Sequence, residues 1–513
     1  MLSFLLSVFR PYKYELLIFA LVFIVPMVFL LSLKFKKFQS FILVYCIWMM
    51  HRFESFETVS FFYETFKGSQ YSISIHHVDI LLPAVFFACI FNKQLSGRIR
   101  LPSFGLLLFF IFFFSQFLTG DGAPPQLWIR KTFSIFAHLR MLFFYYFLSE
   151  LLKIDYLRKD FFRIIIFLII FTGFDVIKLR YLNGVQKPNG AFFMTYNQMG
   201  YIICSLSGIF LGLLLNNRQI NYSKSLLYLI VGLCGVVGIL SQNRGAQMNL
   251  FFTTFGVLGI DLLLKLNIGK IKTVLALIFF GIAGMIKSYD TLYDRYFGYG
   301  NNPAGTMLRK AFYVRSYESF RVHKFTGLGA NLWSARVYED DESREAVLEN
   351  QWYDRNELTQ PYTLLETQNM AFDEMRNLRV NDRTYYNSGV VESYWFLCLV
   401  EYGLVAFIPL VVLWLYFYYQ AFRNALYFRT RNIYYYGLST GLFGTLTGCI
   451  VHNVTEWCGR QSQAMYFIAS YFALVTFCSF VRKAGTYEKV KLDFDFFSRS
   501  NIKASTKVIA DPT

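Results

Sequence analysis

Long apolar segments recur along most of this chain, and they constrain its fold more than any other feature. Many are long enough, or nearly long enough, to cross a hydrocarbon layer of ~30 Å as a helix. Because two of them are short, we expect about twelve to fourteen spans in total. We predict membrane spans near residues 15–33, 39–52, 78–92, 104–119, 132–150, 160–177, 196–214, 225–241, 247–264, 271–287, 391–418, 433–451 and 463–481.

The composition excludes the soluble and the disordered classes of protein. Of the 513 residues, 55% are hydrophobic and 16% are charged, whereas soluble domains carry about 25% charged residues. A soluble chain of this length has too little interior to bury so much apolar surface. We therefore predict an all-α fold, a polytopic transmembrane helical bundle with one large extracytoplasmic loop.

The net charge of +17 is distributed in a way that indicates membrane orientation. Basic residues collect in alternate connections between the predicted spans, as the positive-inside rule requires of cytoplasmic loops. A nucleic-acid-binding protein would instead carry them on one folded face, so we exclude nucleic acid as a partner. The basic groups are Lys34, Lys36 and Lys37; Lys93, Arg98 and Arg100; Lys153, Arg158, Lys159 and Arg163; Arg218 and Lys224; Lys265, Lys270 and Lys272; Arg423, Arg429 and Arg431; and Arg482, Lys483, Lys489 and Lys491.

This alternation divides the chain into four parts. Residues 1–287 hold the first ten transmembrane helices, and residues 288–390 form a large extracytoplasmic loop with 15 acidic and 12 basic residues. Residues 391–481 hold the C-terminal transmembrane helices, and residues 482–513 form a basic cytoplasmic tail. The sequence does not settle on which side of the membrane the N-terminus lies.

Ionisable residues at membrane depth are costly, so each of them is a candidate for function. Arg140 lies within the fifth predicted span, and Arg244 ends the eighth. Glu392 opens the span after the large loop, and His452 ends the next one. The predicted topology places Arg244, Glu392 and His452 at the same, extracytoplasmic end of the bundle.

The large loop adds further cations at that end. Arg315, Arg321 and His323 precede a Gly327-Leu328-Gly329 turn. Arginine forms bidentate hydrogen bonds with phosphate oxygens. Fixed arginines can stabilise the charge of a departing diphosphate without a metal. A carboxylate or an imidazole beside them can take the proton of an attacking hydroxyl group. Any one arginine is equally consistent with an interfacial or ion-paired residue, but the group together favours a lipid-diphosphate site.

Four segments of the chain resemble the O-antigen polymerase and O-antigen ligase superfamily of integral membrane glycosyltransferases. The first runs from Gly190-Ala191-Phe192 to Asn197 and Gly200, and the second is Ser241 to Ala246, which contains Arg244-Gly245. The third runs from Arg315 to Gly329. The fourth is Glu392-Ser393-Tyr394-Trp395 followed by Glu401-Tyr402-Gly403-Leu404.

The resemblance implies transfer of glycan from undecaprenyl diphosphate at the outer face of the bacterial inner membrane, with no metal and no cofactor. Its partners would be the undecaprenyl-diphosphate-linked oligosaccharide, membrane lipid and a chain-length regulator protein. Arg244, Arg315 and Glu392 would be the catalytic residues. The substrate-binding residues would be Arg140, Asn197, Arg321, His323, Tyr394 and His452.

Three functions remain open from the sequence. Ligases of this superfamily resemble one another in a His-Asn pair after the loop, and this chain has Glu392-Ser393 there, which favours a polymerase of repeat units. A ligase is the alternative, with His323 or His452 as the base. A flippase or transporter is the alternative from another class. Such proteins often show internal repeats and charges at the membrane midplane, whereas the charged candidates of this chain are predicted at the outer end and its halves show no repeat.

Overall fold

The computed structural model describes most of the helical regions and a small part of the large loop. Residues 271–287, 486–513 and most of 288–390 lie outside the described residues, so the predicted tenth span, loop and tail stay predictions. The described residues are 20–49, 59–66, 69–75, 77–95, 104–123, 125–185, 187–190, 193, 195–216, 223–265, 313, 316–317, 319–330, 332, 393–456 and 462–485.

Helices dominate the described residues, and they lie where the apolar segments predict spans. A π-helical turn (Ala20–Ile24) precedes the first helix, and a 3-10 turn (Gln116–Leu118) extends the fourth. The helices are α1 (Val25–Lys34), α2 (Lys36–Met49), α3 (His77–Phe91), α4 (Phe104–Ser115), α5 (Pro125–Leu151), α6 (Asp155–Tyr181), α7 (Tyr196–Leu215), α8 (Lys224–Leu240), α9 (Arg244–Leu264), α10 (Tyr394–Phe428), α11 (Ile433–Thr455) and α12 (Ser462–Ala484).

Four segments of these helices are long and apolar enough to cross a membrane, judged by length and composition: Tyr196–Leu215, Gly245–Leu264, Tyr394–Phe428 and Ala464–Ala484. Shorter apolar helices occur at Val22–Lys34, Val78–Phe91, Phe104–Leu118 and Lys224–Leu240. The prediction of a helical membrane protein is therefore confirmed in part, and the number of spans stays a prediction.

One element was not predicted from the sequence. Two strands, β1 (Val59–Phe66) and β2 (Ser69–Ile75), pair antiparallel between α2 and α3. The register is irregular between Phe61 and Glu64. Within the described residues this hairpin is the exception to an otherwise helical fold.

Short polar side chains set the starting points of several helices. At the start of α7 the Thr195 hydroxyl accepts a hydrogen bond from the Gln198 amide at 3.2 Å. At the start of α11 the Asn432 carbonyl oxygen Oδ1 accepts from the amides of Tyr434 and Tyr435. Such caps satisfy backbone donors that a helix cannot pair internally, so the apolar segments begin at defined residues.

Helices α7, α9 and α11 pack so closely that backbone meets backbone. A Cβ atom built on Gly441 of α11 would lie 2.6 Å from the Gly208 carbonyl oxygen of α7. A Cβ atom on Gly256 of α9 would lie 3.0 Å from the Gly444 Cα of α11. Small residues permit this approach in membrane helix pairs, where van der Waals contact and interhelical hydrogen bonds supply the attraction.

Buried polar side chains join the same three helices. Asn249 of α9 donates its amide to the Tyr201 carbonyl oxygen at 3.0 Å and to the Ser205 hydroxyl at 2.8 Å, both on α7. Thr445 of α11 donates to the Ser205 carbonyl oxygen at 2.7 Å. These bonds fix the rotation of each helix, and so they fix which side chains meet at the ends.

We predict that Gly441→Ala destabilises the protein, because the added methyl group overlaps the α7 backbone and overpacking costs about 1–3 kcal/mol. The measurement is the thermal unfolding midpoint of the detergent-purified protein. Gly235→Ala in α8 is the matched control, since its Cβ atom would meet nothing within 4 Å. There the change should stabilise slightly, because alanine has the higher helix propensity. Equal midpoints for the two variants would contradict the close packing.

Candidate functional site at one end of the bundle

Polar side chains from three helices meet at one end of the bundle. Asn243 precedes α9 and donates its side-chain amide to Asn197 Oδ1, in α7, at 2.6 Å. Asn197 in turn donates its amide to Glu456 Oε2, after α11, at 3.5 Å. We call Asn197, Asn243 and Glu456 the amide–carboxylate cluster.

The start of α9 determines the direction of the hydrogen bonds in this cluster. Asn243 Oδ1 accepts from the Gly245 amide at 2.6 Å and from the Ala246 amide at 3.3 Å, so it is the N-cap of the helix. Its oxygen is thereby committed to the backbone, and its nitrogen faces Asn197. Asn243 donates to Asn197, Asn197 donates to Glu456, and the Glu456 carboxylate is the last acceptor.

His452 lies beside this carboxylate at the N-terminus of α9. A Cβ atom on Gly245 would lie 2.6 Å from Glu456 Cγ and 3.0 Å from His452 Nε2. Glycine at position 245 therefore lets the imidazole and the carboxylate approach the helix end. His452 is fully buried, and its ring packs edge-on against Tyr201 at 4.8 Å between centroids.

A buried amide of α11 lies three residues before Glu456. Asn453 is fully buried, and neither polar atom of its side chain has a hydrogen-bond partner within the described residues. Its backbone carbonyl oxygen accepts from the Ser393 hydroxyl at 3.5 Å, which ties the start of α10 to this site. Buried polar groups are nearly always paired, so this amide is a candidate contact for a ligand.

The predicted catalytic residues are only partly within the described residues. Arg244 is the first residue of α9, between Asn243 and Gly245, and not the end of the preceding span as the hydropathy suggested. Nothing further is described of its side chain. Arg315 and Glu392 lie outside the described residues, and their roles stay predictions.

Of the predicted binding residues, Asn197, Tyr394 and His452 come together at this end. The Tyr394 amide donates to the Glu456 carbonyl oxygen at 3.3 Å, and the Tyr394 ring is buried. Tyr394 and His138 also line one small internal cavity. The start of α10 is therefore part of the site.

Arg140 belongs to a separate group among α3, α5 and α12. Its Nε atom lies 3.0 Å from Asp79 Oδ2, and the Tyr466 hydroxyl donates to Asp79 Oδ1 at 2.6 Å. The Asp79 carboxylate is thus bound by Arg140 and Tyr466, and it contacts the guanidinium group at Nε. The amide–carboxylate cluster is built from other helices.

The described part of the large loop docks into a break in α10. Gly403 has a φ of +56° inside this helix, and the break separates the backbone groups on either side of it. The amides of Leu328 and Gly329 donate to the carbonyl oxygens of Val400 and Glu401 at 3.0 and 2.8 Å.

Two bonds in the other direction complete the pairing. The amides of Leu404 and Val405 donate to the carbonyl oxygens of Lys324 and Phe325, at 2.9 and 3.0 Å. These four backbone groups at the break thus gain partners from the loop, as irregular backbone inside a membrane protein requires. A Cβ atom on Gly327 would overlap the Gly403 nitrogen, and its φ of +64° also favours glycine.

Arg321 and His323 lie at the turn of helix that precedes this docked loop segment. The His323 amide donates to the Ser319 carbonyl oxygen at 3.0 Å. Arg321 is exposed and His323 is partly buried. The docking therefore anchors two of the predicted loop residues to α10.

The segments identified in the sequence thus contact one another in pairs. Gly200 of the first segment packs against Ala246 of the second, where an added Cβ would overlap the alanine side chain. The third segment contacts the fourth through the backbone bonds at the break in α10. These contacts join residues far apart in the sequence.

Sequence reasoning missed Glu456 and Asn453. The available signal was an acidic residue four positions after His452, which ends the predicted span. The sequence predicted Glu392 as the carboxylate of the site instead, because it opens the span after the large loop. Only the packing of α11 against α7 and α9 distinguishes Glu456 from other acidic residues at helix ends.

Comparison of the sequence with models of known protein families and with curated proteins found no match.

We predict that Asn197 and Asn243 are energetically coupled. Asn243→Ser keeps an N-cap residue but removes the amide that donates to Asn197. The double variant with Asn197→Ala should therefore show an interaction energy of about 0.5–3 kcal/mol. The measurement is a double-mutant cycle on unfolding in detergent. As a control, Asn424→Ala near the far end of α10 should combine additively with Asn197→Ala, and coupling of equal size there would contradict the prediction.

Proposed function

We propose that this protein is a polytopic glycosyltransferase of the bacterial inner membrane. It polymerises undecaprenyl-diphosphate-linked repeat units of O-antigen, capsule or exopolysaccharide at the outer face. The observation that supports the proposal most is the amide–carboxylate cluster beside His452, at the helix terminus where Arg244 begins α9. The resemblance of the four sequence segments to the O-antigen polymerase and ligase superfamily supports it independently.

The start of α9 suits a diphosphate group. The N-terminus of a helix carries partial positive charge, and anions bind there readily. Arg244 adds a full positive charge at the first helical position. Arg315, which the sequence places in the loop, supplies the second guanidinium group in this proposal.

The docked loop keeps its cations near this end. The break at Gly403 lies nine residues after Tyr394, which is roughly 13 Å along a helix at 1.5 Å per residue. Arg321 and His323 lie beside the loop segment that fills the break. The positive charge of Arg321 and the imidazole of His323 are therefore available to the sugar-diphosphate region of a substrate bound at Tyr394.

The proposed glycosyl transfer needs only the lipid-linked donor, the acceptor hydroxyl group and a carboxylate of the protein. The bond between the anomeric carbon and the diphosphate oxygen breaks, and its electron pair stays on the diphosphate. The acceptor hydroxyl oxygen forms the new bond to the anomeric carbon and loses its proton to a carboxylate. Glu456 is the proton acceptor that the cluster favours, with Asn197 orienting it, and Glu392 keeps the role of base or acceptor-orienting group predicted from the sequence.

We predict that Arg244→Ala abolishes the polymer, while single repeat units still reach the cell surface. Loss of a donor that stabilises a leaving group costs about 10²- to 10³-fold in rate. The measurement is the gel ladder of surface glycan from a deletion strain that expresses the variant. Arg429→Ala at the opposite end of α10 is the control and should restore the ladder. Full-length polymer made by a well-expressed Arg244→Ala protein would remove Arg244 from the mechanism.

We also predict that Glu456→Gln lowers the rate of transfer by about 10²- to 10⁴-fold, the usual contribution of general acid–base catalysis. Glutamine can still accept a hydrogen bond from Asn197, so the fold should be retained. The measurement is transfer by purified protein on lipid-linked repeat units, with Asp160→Asn as the control. If Glu456→Gln turns over at the normal rate, Glu392 is left as the base.

The same experiments separate polymerase, ligase and transporter. Loss of a polymerase leaves lipopolysaccharide capped by one repeat, whereas loss of a ligase leaves bare core and carrier-bound polymer. Sugar transfer by the purified protein in detergent, without a vectorial assay, would exclude a flippase.

A further inference from the structure

A cavity with several charged residues in its lining lies far from the amide–carboxylate cluster. It is formed by α5, α10 and α12 with the start of α4, and its volume is about 330 Å³. Gln420 on its wall is 17 residues beyond the break at Gly403, which is roughly 25 Å along the helix at 1.5 Å per residue. The exposed residues Lys483 and Ala484 line it, so the cavity reaches the surface at this end of the bundle.

A buried ion pair lines this cavity. Lys153 Nζ lies 2.5 Å from Glu150 Oε1, and the two side chains are only 5% and 6% exposed. The second oxygen, Glu150 Oε2, has no hydrogen-bond partner within the described residues. A buried charged oxygen is costly unless a donor meets it, so the cavity contains an acceptor that a hydroxyl group of a ligand would satisfy.

The remaining charge around the cavity is positive. Lys483 lines the mouth, and Lys153 is the second cation on the wall. Behind the wall, Arg482 donates to Gln420 Oε1 at 3.1 Å, which leaves the amide nitrogen of Gln420 as a further donor. Two lysines against one carboxylate give the lining a net charge of +1, which suits one anionic phosphate group.

Aromatic side chains contribute apolar surface to the cavity. Phe104, Phe417 and Phe480 line it, and Phe104 is 57% exposed on the surface of the bundle. A water-soluble phosphate would gain nothing from these rings. A ligand with acyl chains would bury them, with its headgroup on the lysines.

The basic residues at this end place it at the cytoplasmic headgroup level by the positive-inside rule. Anionic phospholipids of that leaflet are attracted to such lysines. We infer that the cavity between α5, α10 and α12 binds one anionic glycerophospholipid with a hydroxyl-bearing headgroup, such as phosphatidylglycerol. Lys153 and Lys483 contact its phosphate, and a headgroup hydroxyl donates to Glu150 Oε2.

The test is lipid binding by the detergent-purified protein, measured by native mass spectrometry and by the shift of the thermal unfolding midpoint. Phosphatidylglycerol should bind as a single molecule and raise the midpoint. Phosphatidic acid, which has the phosphate without the headgroup hydroxyls, should bind more weakly. Phosphatidylcholine should not bind specifically. Equal effects of phosphatidylglycerol and phosphatidylcholine, or a full shift from inorganic phosphate alone, would overturn the inference.

Variants distinguish the cavity from the general lipid surface. Lys483→Ala should weaken phosphatidylglycerol binding about fivefold, since one lysine contributes about 1 kcal/mol near anionic lipid. The double variant Glu150→Gln/Lys153→Met removes the ion pair without leaving a lone buried charge, and it should abolish the single bound lipid. Lys159→Ala at the same end is the control, because Lys159 pairs with Asp155 at 2.8 Å and does not line the cavity. Unchanged binding in the double variant would refute the site.

Discussion

The contact of α7, α9 and α11 determines where the polar residues of this protein meet. Glycines on α7 and α11 let backbone approach backbone, as at Gly208 and Gly441, and the Asn249 amide fixes α9 against α7. With the three helices held at this distance and rotation, Asn197, Asn243 and Glu456 lie within hydrogen-bond reach. Larger residues in place of these glycines would separate the ends of α7, α9 and α11, and the hydrogen bonds of the cluster would then be lost.

A second constraint is the pairing of backbone groups at the break in α10. Continuation of the helix would have paired these groups internally, but Gly403 interrupts it. The loop segment from Lys324 to Gly329 takes over the pairing with four backbone bonds. Since this segment cannot leave without exposing those groups, the break fixes part of the large loop to the bundle. In the proposed enzyme this is how loop cations stay close to a substrate held among the helices.

The two ends of the bundle differ in chemistry. At one end, amides and a carboxylate surround the start of α9. At the other, lysines and an ion pair line a cavity with aromatic walls. The proposed transferase places a lipid-linked sugar at the first end and a structural phospholipid at the second. The assignments rest on different residues, so either can fail without the other.

The sequence by itself determined the helical membrane class, because apolar segments of this length and number leave a chain few other folds. The predicted spans overlap the helices, but several boundaries differ, since α6 is Asp155–Tyr181 where 160–177 was predicted and α10 ends at Phe428 where 418 was predicted. Caps such as Thr195 and Asn432 set the observed starts by local bonds. The hairpin between α2 and α3 was not anticipated. The tertiary structure alone decided that Glu456 joins Asn197, that Arg140 faces Asp79, and that the loop glycines fill the break at Gly403. These contacts depend on distances between helices far apart in the sequence, and no local pattern of residues encodes such distances.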